Sequence, residues 1–197
     1  MDTLNWTLLS IPSIILASSI HEFAHAYAAY KLGDPTPKMM DRLTINPLKH
    51  IDPVGALSMI LFRFGWSKPV PINEGYFKRP VLGTAVTAFA GPFSNFLMAG
   101  ICALINKIPS LPLFIQIFIY VFAIVNLSLA IFNLIPIPPL DGHKVVRAIL
   151  PKRLRVYWEG LEKYSWILII LILFPFSGVV SQYIVNTLNF FLQLLGF

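Results

Sequence analysis

The amino-acid sequence predicts an all-α integral membrane protein with a three-span core, a re-entrant or extended segment between the first two spans, and hydrophobic C-terminal helices. Of its 197 residues, 56% are hydrophobic and only 12% are charged, whereas soluble domains carry about a quarter charged residues. The apolar residues also fall into long uncharged blocks, which is typical of membrane spans. The chain length fits a single domain.

Four blocks contain no charged residue: 3–20, 81–106, 108–140 and 164–197. Because a membrane-spanning helix needs about 20 residues, each of the first two blocks predicts one helix. The third predicts a helix over about 111–133 and then an extended stretch, because Pro136, Pro138 and Pro139 cannot continue a helix. The fourth is broken near residue 177, so it predicts either one span or two.

A shorter apolar stretch, residues 53–62, lies between the first two spans. It is too short to cross a membrane, which predicts a re-entrant or interfacial piece. Such a piece must be shielded by protein, because lipid cannot satisfy loose backbone groups. We expect residues 1–151 to form the core and residues 152–197 to add C-terminal membrane helices to the same domain.

The basic residues are distributed unevenly along the chain. All 15 lysines and arginines except Lys107 follow either the first span or the third. By the positive-inside rule these regions are cytoplasmic and the N-terminus is outside, so the chain is a multi-pass protein of the cell membrane. The net charge of +6 therefore indicates basic loops facing an anionic lipid leaflet, and no nucleic-acid partner is expected.

The central motif is His21-Glu22-Phe23-Ala24-His25 at the end of the first span. On a helix, His21 and His25 share one face, so both imidazoles can reach one metal ion, and zinc suits neutral imidazole. Glu22 is placed to act as the general base for a zinc-bound water. A chance match on an amphipathic helix is the alternative, but ionisable groups within a membrane are costly unless they serve a function.

A catalytic zinc ion usually has three protein ligands, so one more must come from elsewhere. We predict Asp141, because the third span returns the chain to the membrane depth of His21. The sequence therefore predicts one Zn²⁺ per chain, near the cytoplasmic face. An alternative role for Asp141 is the N-cap of a helix over 142–150. The competing ligands on the same side of the membrane are His50, His143, Asp52 and Glu74.

Three asparagines lie in the predicted spans. Asn126 and Asn133 are seven residues apart and hence on one helix face, where buried amides can bridge helices or orient a substrate carbonyl. We expect Asn126 to bridge helices and Asn133, nearer Asp141, to serve the site. Asn95 follows Gly91-Pro92, and it fits either helix packing or a role at the site.

The stretch Lys68-Pro69-Val70-Pro71-Ile72-Asn73 suits an edge strand, because proline is confined to sheet edges. An edge strand could pair with an unwound substrate, which makes Val70 and Pro71 candidate substrate-binding residues. A simple loop is the alternative for this stretch.

The order of these motifs resembles the site-2 protease family of zinc intramembrane metalloproteases. The resemblance rests on HExxH in the first span, Gly91-Pro92-Phe93-Ser94-Asn95 in the next, and the proline-rich stretch from Asn133 to Asp141-Gly142. Residues 43–53 and 68–73 resemble a small prokaryotic branch without accessory domains. The resemblance implies zinc ligation by His21, His25 and Asp141, with Glu22 as the base. It also implies that Asn133, and secondarily Asn95, hydrogen-bonds near the reacting peptide.

We therefore expect a zinc-dependent endopeptidase that cuts membrane-spanning protein substrates within or beside the bilayer. The alternative is a zinc-binding membrane transporter or a catalytically inactive scaffold. Glu22 discriminates between them, because a protein that only binds metal has no use for a base at that position.

Overall fold

Helices dominate the computed structural model of the chain, which describes residues 3–62, 65–174 and 176–197. Arg63, one of the basic residues that follow the first span, lies outside the described residues. The α-helices in the described ranges are α1 (Thr3–Lys31), α2 (Thr36–Met39), α3 (Pro53–Phe62), α4 (Pro80–Asn106), α5 (Leu113–Asn133), α6 (Asp141–Ile149), α7 (Lys152–Glu159), α8 (Ser165–Leu173) and α9 (Ser177–Leu195). Short 3₁₀ helices occupy Pro47–Lys49, Glu74–Tyr76 and Gly160–Tyr164. The all-α prediction is confirmed.

The core is a bundle of α1, α4 and α5, and α9 packs against α5. Small residues line the contacts between these helices, and Ala17, Ala99 and Ala123 are fully buried. Small side chains allow helix backbones to approach closely, which is how membrane helices gain packing contacts in the absence of a hydrophobic driving force between them. The fold therefore brings the C-terminal end of α1 against the middle of α4.

Two helices in the described residues, α4 and α5, are long and apolar enough to cross a membrane. A third crossing results if the helical run Lys152–Ile172 and α9, bent by 84° at a short break, count as one span. The predicted second and third spans thus match α4 and α5. At 29 residues α1 has ample length for the first crossing, and that crossing remains a prediction.

The predicted edge strand over 68–73 is extended but is not part of a regular sheet. Within the described residues its β-type pairing is one isolated antiparallel bridge, between Ile51 and the adjoining Ser67. Pro69 and Pro71 carry no N–H group, so a continuous ladder cannot form along this segment. We call residues 66–73 the extended segment. The predicted re-entrant piece forms α3, capped by Asp52, which accepts hydrogen bonds from the Val54 and Gly55 amides.

After α5 the chain reverses through the proline-rich stretch 134–140, and α6 begins directly at Asp141. The reversal is tight, because a Cβ on Gly142 would lie 2.3 Å from the carbonyl oxygen of Leu134. Only glycine fits such a close backbone approach. The Asp-Gly pair thus places the first residue of α6 against the helix bundle.

Candidate metal centre

Three side chains from two distant parts of the chain converge beside α4. The Nε2 atoms of His21 and His25 each lie 3.2 Å from Oδ2 of Asp141. The three potential ligand atoms lie within 4.8 Å of one another, and all three residues are buried. The predicted convergence of α1 and the start of α6 is therefore present in the fold.

The second ring nitrogen of each imidazole, Nδ1, is anchored by α4. Nδ1 of His21 lies 2.6 Å from Oδ1 of Asn95, and Nδ1 of His25 lies 2.7 Å from the carbonyl oxygen of Thr87. The Thr87 carbonyl can only accept, so His25 carries its proton on Nδ1. The Asn95 amide nitrogen donates to the carbonyl of Ala17, which leaves Asn95 Oδ1 to accept from His21. Such outer partners fix the tautomer and orientation of metal-binding histidines.

This arrangement suits a metal ion. In neutral imidazoles anchored this way, both Nε2 atoms present lone pairs toward the Asp141 carboxylate, so three acceptors face one point without a proton between them. Two imidazoles and a carboxylate are a typical ligand set for zinc.

Gly91 of α4 leaves room for this centre. A Cβ at this position would lie 2.5 Å from Nε2 of His25 and 2.6 Å from Nε2 of His21. Even a methyl group would therefore fill the space where the two ligand nitrogens converge. The absence of a side chain at Gly91 keeps the space open.

Glu22 is buried next to the three ligand candidates and is held by the extended segment. Its Oε1 accepts a hydrogen bond of 2.5 Å from the Ser67 hydroxyl, and its Oε2 accepts one of 3.2 Å from the Val70 amide. Both carboxylate oxygens are thus oriented by residues far along the chain. The extended segment therefore lies directly against the predicted base.

Asp141 does not use its carboxylate as an N-cap. The residue that precedes α6 is Leu140, which makes no side-chain capping hydrogen bond. The carboxylate of Asp141 instead faces the imidazoles of α1. Between the two predicted roles, the observed contacts favour the ligand.

The competing ligand candidates are engaged elsewhere. Nε2 of His50 bonds the carbonyl of Thr44, and Asp52 caps α3. His143 stacks on Trp158 of α7 and contacts its carbonyl through Nε2. Glu74 pairs with Arg147 of α6 at 2.8 Å. The last two contacts tie α6, and hence Asp141, to its neighbours.

Comparison with known proteins identifies the family. A family model described as Peptidase family M50 matches residues 106–176. YwhC of Bacillus subtilis is 37% identical over 184 residues, which cover 88% of this chain and 84% of YwhC. The chain belongs to peptidase family M50. Further relatives are Rip2 of Mycolicibacterium smegmatis, 23% identical over 91% of this chain and 77% of Rip2, and the zinc metalloprotease MJ0392 of Methanocaldococcus jannaschii, 25% identical over 77% of this chain and 37% of MJ0392. YwhC and Rip2 are named as candidate zinc metalloproteases. No solved structure matches the chain.

The asparagines of this M50 peptidase take different positions around the centre. Asn95 lies behind His21, and its amide nitrogen also donates to Oδ1 of Asn126 at 2.8 Å. Asn126 thus bridges α5 to α4, as predicted. The amide nitrogen of Asn133 donates to the carbonyl of Leu129 in its own helix, so its role near a reacting peptide remains a prediction.

Several residues that shape the M50 centre were not predicted from the sequence as parts of it. They are Thr87, through its carbonyl; Ser67, through its hydroxyl; and Gly91 and Gly142, through their missing side chains. The glycines carried a signal, since both lie in motifs next to predicted site residues. Thr87 and Ser67 carried none, because a backbone carbonyl has no sequence signature and Ser67 lies 45 residues from its partner Glu22.

Proposed function

We propose that this M50 peptidase is a zinc-dependent intramembrane endopeptidase that hydrolyses peptide bonds of membrane-spanning proteins. The observation that carries the proposal is the convergence of His21, His25 and Asp141 on one buried point with Glu22 beside it. A peptidase of this family without such a centre would have no apparent means of activating water.

His21, His25 and Asp141 would hold the metal, through two neutral nitrogens and one carboxylate oxygen. The relatives named as zinc metalloproteases support zinc as that metal. Zinc in such a site lowers the pKa of a bound water toward neutrality and polarises a substrate carbonyl. Asn95 and Thr87 keep the two imidazoles in the ligating tautomer, so the ligands are preorganised before metal binds.

Glu22 acts as the general base and then as the general acid. It adjoins His21 in the sequence, and its carboxylate is buried and fixed on both oxygens by the extended segment. In this role it takes a proton from the attacking water and returns it to the departing amine nitrogen. The inactive-scaffold alternative gives no reason for a carboxylate at this position.

The extended segment binds the substrate in this proposal. A peptide bond within a helix is hydrogen-bonded and inaccessible, so a membrane-spanning substrate must unwind before cleavage. The Val70 and Pro71 carbonyls can accept hydrogen bonds from an unwound chain, which is a partial form of the pairing that an added strand makes at a sheet edge. Asn133 would contact the same peptide from the end of α5.

The centre lies near the cytoplasmic face of the cell membrane in this proposal, with the N-terminus of α1 outside. The support is the concentration of basic residues after α1 and after α5. Because His21 and His25 lie in the C-terminal half of α1, they fall toward that same basic side.

Incubation of detergent-purified protein with a panel of single-span membrane proteins tests the proposal. We expect the zinc-loaded protein to cut at least one of them within or beside its span, and a zinc chelator to stop the reaction. Added Zn²⁺ should restore it. Cleavage that continues unchanged in protein shown by elemental analysis to be free of metal would refute the metal-dependent mechanism.

A further inference from the structure

A buried arginine lies behind the extended segment. Arg42 is 5% exposed, and its guanidinium donates to the carbonyl oxygens of three residues. It bonds Lys49 through Nη1, and through Nη2 it bonds Lys68 at 3.2 Å and Pro69 at 3.1 Å. Burying a charge is costly unless its hydrogen bonds are satisfied, and here backbone carbonyls satisfy them. The Arg42 guanidinium therefore links backbone carbonyls of two separate loops.

One peptide group links Arg42 to Glu22. The carbonyl of Pro69 accepts from Arg42, and the N–H of Val70, in the same peptide group, donates to Glu22 Oε2. A trans peptide points its C=O and N–H in opposite directions. The peptide dipole, about 3.5 D, therefore lies with its negative end on the cation and its positive end on the carboxylate. Each charge favours the orientation that the other requires.

The loop that carries Arg42 is itself held in place. His50 is buried and bonds the Thr44 carbonyl, and the His50 carbonyl accepts from the Lys68 amide at 2.8 Å. The bridge between Ile51 and Ser67 adds a second connection to the extended segment. The segment is anchored separately at its other end, where buried Asp34 accepts from the Asn73 amide at 2.7 Å. Arg42 thus holds the N-terminal part of the extended segment by hydrogen bonds, and Asp34 holds its C-terminal end.

We propose that Arg42 is a positioning residue for the reaction. By holding the Pro69 carbonyl, it aims the Val70 N–H at Glu22 and thereby fixes the carboxylate beside His21 and His25. This inference rests on the proposed role of Glu22 as the base. It gives a function to the loop over residues 42–53, which supplies none of the proposed metal ligands.

Lysine cannot replace arginine in this role. Guanidinium presents five donors in a planar fork, which lets it bond carbonyls from two loops at once, whereas an ammonium is a compact point charge. Arg42→Lys should therefore keep the positive charge and lose the orientation of the Pro69–Val70 peptide.

Hydrogen exchange tests the contact without any need for substrate. In Arg42→Ala we expect the Lys68 and Val70 amides to exchange at least about tenfold faster than in the unmodified protein. The Asn73 amide, held by Asp34, should be unchanged and serves as an internal reference. Arg153→Ala, which removes an exposed arginine of α7, is the matched control. Exchange at Lys68 and Val70 within twofold of the unmodified protein would overturn the inference.

Cleavage measured at saturating substrate tests the consequence. Arg42→Ala should retain zinc and lose about 100-fold in kcat, because displacing a reacting group by about 1 Å costs that much. Methylguanidinium chloride should restore part of the rate, and methylammonium chloride at the same ionic strength should not. Arg42→Lys should stay impaired, and if Arg42→Ala does not fold, this variant carries the test.

Two failures are distinguishable. If the unmodified protein cuts no membrane-spanning substrate, the proposed function fails, and the exchange experiment alone decides whether Arg42 orients the segment. If the unmodified protein cuts and Arg42→Lys cuts equally fast, the positioning role is overturned. Loss of rate in Arg42→Ala that methylguanidinium does not relieve, with lysine fully active, would mean that only the charge at this position matters.

Discussion

Replacement of Gly91 by alanine should remove the metal while leaving the helix bundle intact. The added Cβ would lie 2.5 Å from Nε2 of His25 and 2.6 Å from Nε2 of His21, where ordinary contacts begin at 3.4 Å. Each nitrogen would have to retreat by about 0.8 Å or more. Both imidazoles are also held from behind, by Thr87 and Asn95, so neither ring can move away without breaking a buried hydrogen bond.

The size of this displacement sets the expected loss. Metal-ligand distances tolerate changes of about 0.2 Å, so a shift of the required size removes both nitrogens from productive coordination. Loss of a single outer hydrogen bond already costs 10- to 100-fold in metal affinity. We therefore expect Gly91→Ala to weaken zinc binding by at least about 100-fold and to abolish cleavage.

A matched control lies on the same helix. Gly100 has no atom within 4 Å of an added Cβ, so Gly100→Ala gains the same helix propensity, about 1 kcal/mol, without contact at the centre. Elemental analysis and competition with a zinc chelator measure the affinities of both variants, and circular dichroism verifies the helices. Full zinc retention in Gly91→Ala would refute the assigned geometry, because the ligand nitrogens could not then occupy their present positions.

Three further predictions concern the ligands and the topology. Asp141→Ala should lose zinc and activity, and Asp141→Asn should retain an intermediate amount of zinc, whereas His50→Ala, which removes another buried imidazole, should retain zinc fully. Elemental analysis measures the zinc, and equal zinc content in all three variants would exclude Asp141 as a ligand. Asn95→Ala should lower zinc affinity 10- to 100-fold by releasing His21, and it should destabilise the fold by about 1–3 kcal/mol by leaving buried partners unpaired. Chelator competition measures the affinity and thermal unfolding measures the stability; an unchanged affinity would contradict the anchoring role. Cysteines introduced into the loop over 31–80 should be labelled from the cytoplasmic side, and labelling only from outside would reverse the topology.

The sequence predicted those features that depend on local pattern. The lengths of the uncharged blocks predicted α4 and α5, because the thickness of the bilayer sets the number of residues in a span. Helical spacing placed His21 and His25 on one face, and the return of the chain after α5 selected Asp141 among several carboxylates and histidines. The prolines around residue 137 correctly predicted the end of α5, since proline cannot continue a helix.

Features that depend on packing between distant segments could not be predicted. The extended segment was expected to be an edge strand, but Pro69 and Pro71 prevent a continuous ladder. Two of its amides, those of Val70 and Asn73, bond the side chains of Glu22 and Asp34 instead. Arg42 shows the same limit, since the sequence predicted only that it belongs to a basic loop facing the lipid leaflet, whereas the fold buries its guanidinium. The sequence shows which residues are ionisable, but only the fold determines which backbone carbonyls lie close enough to satisfy a buried charge.

The most direct test of the account compares unmodified protein with Glu22→Gln on one membrane-spanning substrate, with zinc content measured on the same samples. Glutamine keeps the shape of the side chain and loses the base. We predict about one zinc per chain in both proteins, cleavage by the unmodified protein, and no detectable cleavage by the variant. Cleavage by Glu22→Gln at the unmodified rate, with zinc bound, would contradict the assignment of Glu22 as the base and with it the central claim.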